Sequence, residues 1–212
     1  MAAERIFPRS VKINMKKKQL EITLQRLRPL ETRSPKLEQY STPGEIAADL
    51  LWEAYGAGDI QGKSVADLGC GNGVLCIGAK LLGAELAFGL DLDHGAVTVA
   101  RENARALGLE IDLKEMDIAS LVGSFDTVVQ NPPFGAQTKH ADRSFIRKSL
   151  EVAPRVYSLH MDGTQEFVEK MVHALGGTCK PVKRYKFEIP YAFEFHRKAN
   201  ETVSVILLRF QR

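Results

Sequence analysis

Asn131-Pro132-Pro133-Phe134 concentrates the chemistry of this chain in four consecutive residues. Asn131 offers a side-chain carbonyl oxygen. The two prolines fix φ and remove backbone donors, so the turn presents acceptors in a stiff geometry. Phe134 adds a flat apolar face on which a base can stack. Two acceptors, the Asn131 side-chain oxygen and the Pro132 carbonyl, can bind an exocyclic NH2, draw its lone pair out of conjugation and aim it at an electrophile. That is chemistry for methylating a planar amino group. The same tetrad also serves as a plain turn that ends a strand, so a source of the electrophile has to be found elsewhere.

The segment Val65-Ala66-Asp67-Leu68-Gly69-Cys70-Gly71-Asn72-Gly73-Val74 supplies one. A short apolar strand runs into a glycine turn, and a helical pattern follows through Leu82. Glycines at 69, 71 and 73 let the backbone swing tightly and approach a ligand. The spacing is not that of dinucleotide binders, and no Gly-Lys-Ser/Thr follows to hold a triphosphate. Asp91 lies about 20 residues on, closing the strand Ala87–Leu90, where a carboxylate can take both ribose hydroxyls. Asp117 closes the next strand candidate, Ile111–Met116, within reach of an adenine edge. A turn, then Asp, then Asp describes an adenosine-bearing cofactor without a pyrophosphate. S-adenosylmethionine fits, and its sulfonium is the missing electrophile. On this reading Asp67, Gly69, Gly71, Asn72 and Val74 surround the cofactor, with Asp91, Asp117, Ile118 and Asn131 further along. Gln39 and Thr42, in the segment that enters a helix at Pro43–Tyr55, cap the pocket.

With Leu37-Glu38-Gln39-Tyr40-Ser41-Thr42 and Val156-Tyr157-Ser158-Leu159-His160 added in order, the chain resembles the archaeal and eukaryotic family of methyltransferases that make N6-methyladenosine in small-subunit ribosomal RNA. The resemblance runs from about Lys16 to the C-terminus and departs at Ser41, where Pro is common, and at Ala136, where Thr often follows the Gly. It implies a class I Rossmann-like fold, an unpaired adenosine as target, and a small zinc-binding activator protein pairing edge to edge with the sheet. The apolar segment Gly83–Leu90 is the expected edge. Three other readings remain open: a ribosomal RNA guanine N2-methyltransferase, a protein glutamine N5-methyltransferase, and a catalytically silent binding subunit.

At 212 residues, with 44% apolar and 26% charged content, the chain fits one α/β domain with a well-buried core. Residues 1–15 are expected to be disordered, 16–55 to form N-terminal helices and 56–212 the Rossmann-like core. No apolar run approaches a membrane span, and no signal core opens the chain. The cysteines, Cys70, Cys76 and Cys179, show no metal spacing, which suits a reduced, cytoplasmic protein. The mechanism read here uses no metal.

The net charge of +3 is too small to argue for nucleic acid; its distribution says more. Lys139, Arg143, Arg147 and Lys148 follow the tetrad, where phosphates flanking a target base would lie. Lys183, Arg184, His196, Arg197 and Lys198 flank the last two strand candidates among aromatics, a mixture that grips phosphate and stacks unpaired bases. Lys16-Lys17-Lys18 opens an N-terminal helix whose apolar face carries Leu20, Leu24 and Leu27. The elements that position all this are alternating strands and helices up to about Leu175. Val182–Ile189 and Thr202–Phe210 then form an antiparallel hairpin. The prediction is α/β: a doubly wound class I methyltransferase sheet.

Overall fold

The computed structural model describes residues 15–30, 42–133, 141–190 and 200–212, with backbone alone at 141, 187–190 and 200–203. The order is α1 (Lys17–Gln25), α2 (Gly44–Gly56), β1 (Ser64–Leu68), α3 (Val74–Leu81), β2 (Leu86–Asp91), α4 (His94–Ala106), β3 (Asp112–Glu115), β4 (Thr127–Gln130), α5 (Ala141–Val152), β5 (Arg155–Met161), α6 (Gln165–Ala174), β6 (Thr178–Pro190) and β7 (Asn200–Gln211). Strands β1 to β5 are parallel, so most connections carry a crossover helix.

Alternation along each strand sorts apolar side chains onto two faces. Val65, Val129, Tyr157 and Leu207 face one core, shared with Leu20 and Leu24 of α1, Ile46, Leu50 and Leu51 of α2, and Ile77 of α3. Ala66, Leu68, Val128, Val156, Leu208 and Phe210 face the other, closed by Ile146 and Leu150 of α5 and Val168 and Val172 of α6. Coverage on both sides is why β1 is buried from Val65 to Leu68 and β4 along its whole length.

The strand order is β3-β2-β1-β4-β5-β7-β6. It reverses between β1 and β4, and that switch point opens a crevice above the carboxyl ends of the strands. The hairpin is longer than expected. Its β6 begins at Thr178 and passes through Pro181 with a register shift between Pro181 and Lys183. Proline there hid the strand start, because on an edge strand a bulge accommodates a missing donor. Strand β7 lies between β5 and β6, antiparallel to both.

One expectation is corrected. Gly83–Leu90 is not an edge, because β2 pairs with β1 on one side and β3 on the other. The borders of the sheet are β3 and β6. Strand β3 gives little apolar signal of its own, because only Leu113 of its four residues is buried, and its place as a border is therefore hidden in the sequence. The expected disorder before residue 15 lies outside the described residues. No described helix is long and apolar enough to cross a membrane.

Candidate active site

The turn after β1 is built by glycine. Gly69, Gly71 and Gly73 all have positive φ, at 74°, 54° and 87°, a region that costs other residues strain. Gly69 N and Cys70 N both donate to the Leu90 carbonyl at 2.9 and 2.8 Å, tying the turn to β2. A Cβ on Gly73 would meet Ala100 Cβ and Ile77 Cδ1 at 3.1 Å, whereas one on Gly71 would meet nothing within 4 Å. The turn is thus packed beneath and open above.

Asp91 closes β2 beside that opening. Its Oδ2 accepts from Gly71 N at 2.8 Å and its Oδ1 from Asp93 N at 3.0 Å. Burial pushes the Asp91 carboxyl above its usual range, and the Asp93 and Gly71 backbone donors oppose that rise. Each oxygen retains a lone pair beyond its backbone bond. Asp117 stands at the end of the neighbouring strand, exposed, with Oδ1 accepting from Ala119 N at 2.8 Å and Ile118 half-buried next to it.

Asp67 and Asn72 work differently from expectation. Asp67 is 1% exposed and lies under the turn, where its Oδ2 accepts from Cys76 N at 3.0 Å and holds the first turn of α3. Its Oδ1 is buried with no partner, and burial pushes the carboxyl up to about 7. Val74 is likewise buried. Asn72 turns its amide toward the N-terminal segment, donating to the Arg28 carbonyl at 3.2 Å. Asn103 on α4, which the sequence reading missed, completes this junction. It accepts from Arg28 N at 2.9 Å and donates to the carbonyls of Arg28 and Asn72 at 3.1 and 2.9 Å.

Across the switch point, Asn131 follows directly on β4, with Pro132 buried and Pro133 half-buried. Asn131 Nδ2 donates to Thr42 Oγ1 at 2.8 Å, and Thr42 is 8% exposed just before α2. The strand ends therefore present, in spatial order, Asp117, Asp91, the glycine turn and Asn131. Gln39, Phe134, Lys139, His196, Arg197 and Lys198 lie outside the described residues.

The remaining predicted cations divide. Arg143 and Arg147 are exposed on α5, with the Arg143 guanidinium 5.0 Å from the Phe167 ring centroid. Lys148 has an 11% exposed side chain and donates to the Leu121 carbonyl at 3.0 Å and to Glu151 at 2.9 Å. Lys183 pairs, together with Lys17, with the buried carboxylate of Asp49 on α2. Arg184 bonds Asp162 at 2.7 Å and Gln165 at 2.5 Å on the opposite face. Sequence shows the charges of 148, 183 and 184 but not these partners, which come from other elements.

Comparison with known proteins agrees with this geometry. The family described as "Methyltransferase small domain" matches residues 45–174. The chain is 37% identical over 206 residues to the Danio rerio protein named rRNA N(6)-adenosine-methyltransferase METTL5, spanning 92% of this chain and 99% of that one. Its fold matches the crystal structure of PH1948 from Pyrococcus horikoshii with a TM-score of 0.87 and 41% identity, covering 93% and 98% of the two chains. A magnesium protoporphyrin IX methyltransferase (ChlM) from Synechocystis PCC 6803, solved with bound SAM, shares the fold alone at a TM-score of 0.62 and 20% identity, over 79% of each chain. On these grounds the chain belongs to the methyltransferase small-domain family and, within it, to the branch that contains METTL5.

Proposed function

We propose that this protein is a methyltransferase that uses S-adenosylmethionine to make N6-methyladenosine in ribosomal RNA. The observation that carries the reading is Asn131, oriented by Thr42 and set across the switch point from the glycine turn and Asp91. The residues fit the cofactor. Gly71 borders open space, and Asp91 stands beside it as a strand-end carboxylate with acceptor capacity for ribose hydroxyls. Asp117 and Ile118 take the adenine. Gln39 and Thr42 cap the site.

S-adenosylmethionine, when bound, supplies an electrophilic methyl group. The work of the protein is positioning. With its Nδ2 given to Thr42, Asn131 presents its carbonyl oxygen as the amine acceptor, and the Pro132 carbonyl is the second. Pro133 stiffens the turn and Phe134 stacks on the base. Both acceptors are set before reaction and strengthen as the amine nitrogen gains positive charge, which lowers the barrier without a reorganisation cost. No general base is needed early, because the proton leaves only after the nitrogen is cationic. The base must be unstacked to reach the site.

The finer assignments rest on the family resemblance. The target is small-subunit ribosomal RNA, and residues 1–212 act as a single methyltransferase domain. A small zinc-binding activator pairs edge to edge with the sheet at one of its two borders, β3 or β6. The free cysteines suit a cytoplasmic setting. Arg143 and Arg147, with Lys139, carry the phosphate contacts next to the base. His196, Arg197 and Lys198 extend them, while Lys148, Lys183 and Arg184 contribute less because their charges are already paired.

Transfer of a tritiated methyl group to ribosomal RNA, followed by nucleoside analysis, is the test. N6-methyladenosine in the RNA is expected. Label in N2-methylguanosine, in protein, or nowhere would overturn the reading. An unchanged rate on adding the activator to a monodisperse, fully active chain would remove the partner alone.

A further inference from the structure

A buried polar chain begins one residue before Asn131. Gln130, Ser158 and His160 are 0%, 0% and 2% exposed. Gln130 and Ser158 are register partners on β4 and β5, and Gln130 Nε2 donates to Ser158 Oγ at 3.0 Å. Ser158 Oγ lies 2.7 Å from His160 Nε2. Burial lowers the His160 ring to about 3, so it is neutral. A hydroxyl that accepts from Gln130 then has its own proton to give to Nε2.

The surroundings are apolar. Val128, Val156, Ile206, Leu208 and Phe210 share this face, and the Phe210 ring centroid is 6.0 Å from that of His160. Apolar side chains of similar volume would fill the space without burying polar atoms. The chain is also incompletely satisfied, since Gln130 Oε1 has no partner. A half-satisfied network in an apolar core is a liability for stability alone, and such departures mark functional sites. Strand alternation supplies the function. Gln130 points to the α5–α6 face and is held by Ser158, while Asn131 points to the α2 face and is held by Thr42. Two consecutive side chains are pinned on opposite faces of the sheet at the root of the turn.

We infer that Ser158 and His160 are positioning residues for methyl transfer: they hold Gln130, and through it set the strand end from which Asn131 projects toward the target amine. The inference rests on the reading of Asn131 given above. Single-turnover methylation of ribosomal RNA at saturating cofactor tests it on five variants of the full chain: Ser158→Ala, Ser158→Thr, Asn131→Ala, Ser158→Ala combined with Asn131→Ala, and the apolar triple Gln130→Leu, Ser158→Ala, His160→Phe. Ser158→Ala leaves Gln130 Nε2 and His160 Nε2 without their shared partner and should lower the melting temperature, whereas the triple variant should melt near the wild-type temperature. Both should bind S-adenosylhomocysteine normally and lose about tenfold or more in turnover, the scale of a small misplacement of a reacting group. Ser158→Ala should add no loss to Asn131→Ala, and Ser158→Thr should recover part of the rate.

A triple variant that is stable and turns over at the wild-type rate would make the network merely structural. Additive losses would sink the coupling to Asn131. Should the triple variant not fold, the Ser158→Ala and Asn131→Ala cycle decides by itself. The two readings fail separately. A fully active Asn131→Ala overturns the assignment of the turn. An inactive Asn131→Ala beside a fully active Ser158→Ala overturns only the positioning role.

Discussion

Asn131 Nδ2 donates to Thr42 Oγ1 at 2.8 Å, joining two residues 89 positions apart in the chain. The bond turns the Nδ2 end of the Asn131 amide toward Thr42. Thr42→Val keeps the volume and loses the partner, so turnover should fall by roughly 2- to 13-fold, the equivalent of one net hydrogen bond of about 0.5–1.5 kcal/mol. Asn131→Ala should lose about 100-fold or more, because removing a preorganised polar group costs about 2.7–4 kcal/mol of barrier. Asn131→Asp should fall between wild type and Ala, since Thr42 can reverse its role and donate to the carboxylate. Single-turnover methylation reads all three, and cofactor affinity should remain near normal in each.

Asp91 joins the cofactor turn to its own strand through Gly71 N and Asp93 N. Asp91→Ala should therefore abolish measurable binding of S-adenosylhomocysteine in calorimetric titration and also lower the melting temperature. Each charged hydrogen bond removed costs roughly 1.5–3 kcal/mol. Asp91→Asn keeps one acceptor oxygen and should retain weak binding. Wild-type affinity in the Ala variant would reduce Asp91 to a turn residue.

His160 and Asp67 give stability opposite dependences on pH. His160 has its ring lowered from an ordinary 6.5 to about 3, so the unfolded chain takes up a proton that the folded chain refuses between those values. Stability from this group is complete above about 6.5 and falls as pH drops toward 3, by about 1.4 kcal/mol per pH unit at its steepest. Denaturant unfolding of His160→Gln at pH 7 and pH 5 should show a smaller acid loss than wild type. Equal losses would mean that the ring is not held neutral.

Asp67 has its carboxyl raised from an ordinary 3.8 to about 7. The folded chain then keeps a proton that the unfolded chain has released, and stability declines as pH rises from about 4 to 7. Asp67→Asn removes that decline. Without cofactor, its melting temperature should gain on wild type between pH 5 and pH 8. No relative gain would show that Asp67 is ionised in the fold at both values.

Lys139, Arg143 and Arg147 replaced together by Ala should weaken binding to ribosomal RNA. The logarithmic salt slope should flatten by about 0.7 for each single-strand phosphate the variant no longer neutralises. Lys183→Ala should behave differently, because Lys183 serves the buried Asp49 carboxylate that also binds Lys17. It should lower the melting temperature and leave the salt slope nearly unchanged. A slope unmoved in the triple variant would make that cluster a solvated helix face.

The Asn-Pro-Pro turn, the glycine turn and the Asp residues at strand ends were legible in the sequence. Their signals are local: proline and glycine declare a backbone conformation at their own positions, and apolar runs declare a buried strand. From them the parallel sheet, the cofactor class and the amine chemistry followed. The tertiary structure decided what local signals cannot carry. Strand order put β2 inside the sheet and β3 at its border. Pairing between distant elements committed Lys148, Lys183 and Arg184 to partners within the fold. The same long-range packing gave roles to residues whose types announce none: Asn103 as the junction of Arg28 and Asn72, Thr42 as the partner of Asn131, and Ser158 with His160 behind Gln130. An Asn, a Ser or a neutral His is informative only once its neighbours are known, because a hydrogen bond belongs to two residues and the chain order names one of them at a time.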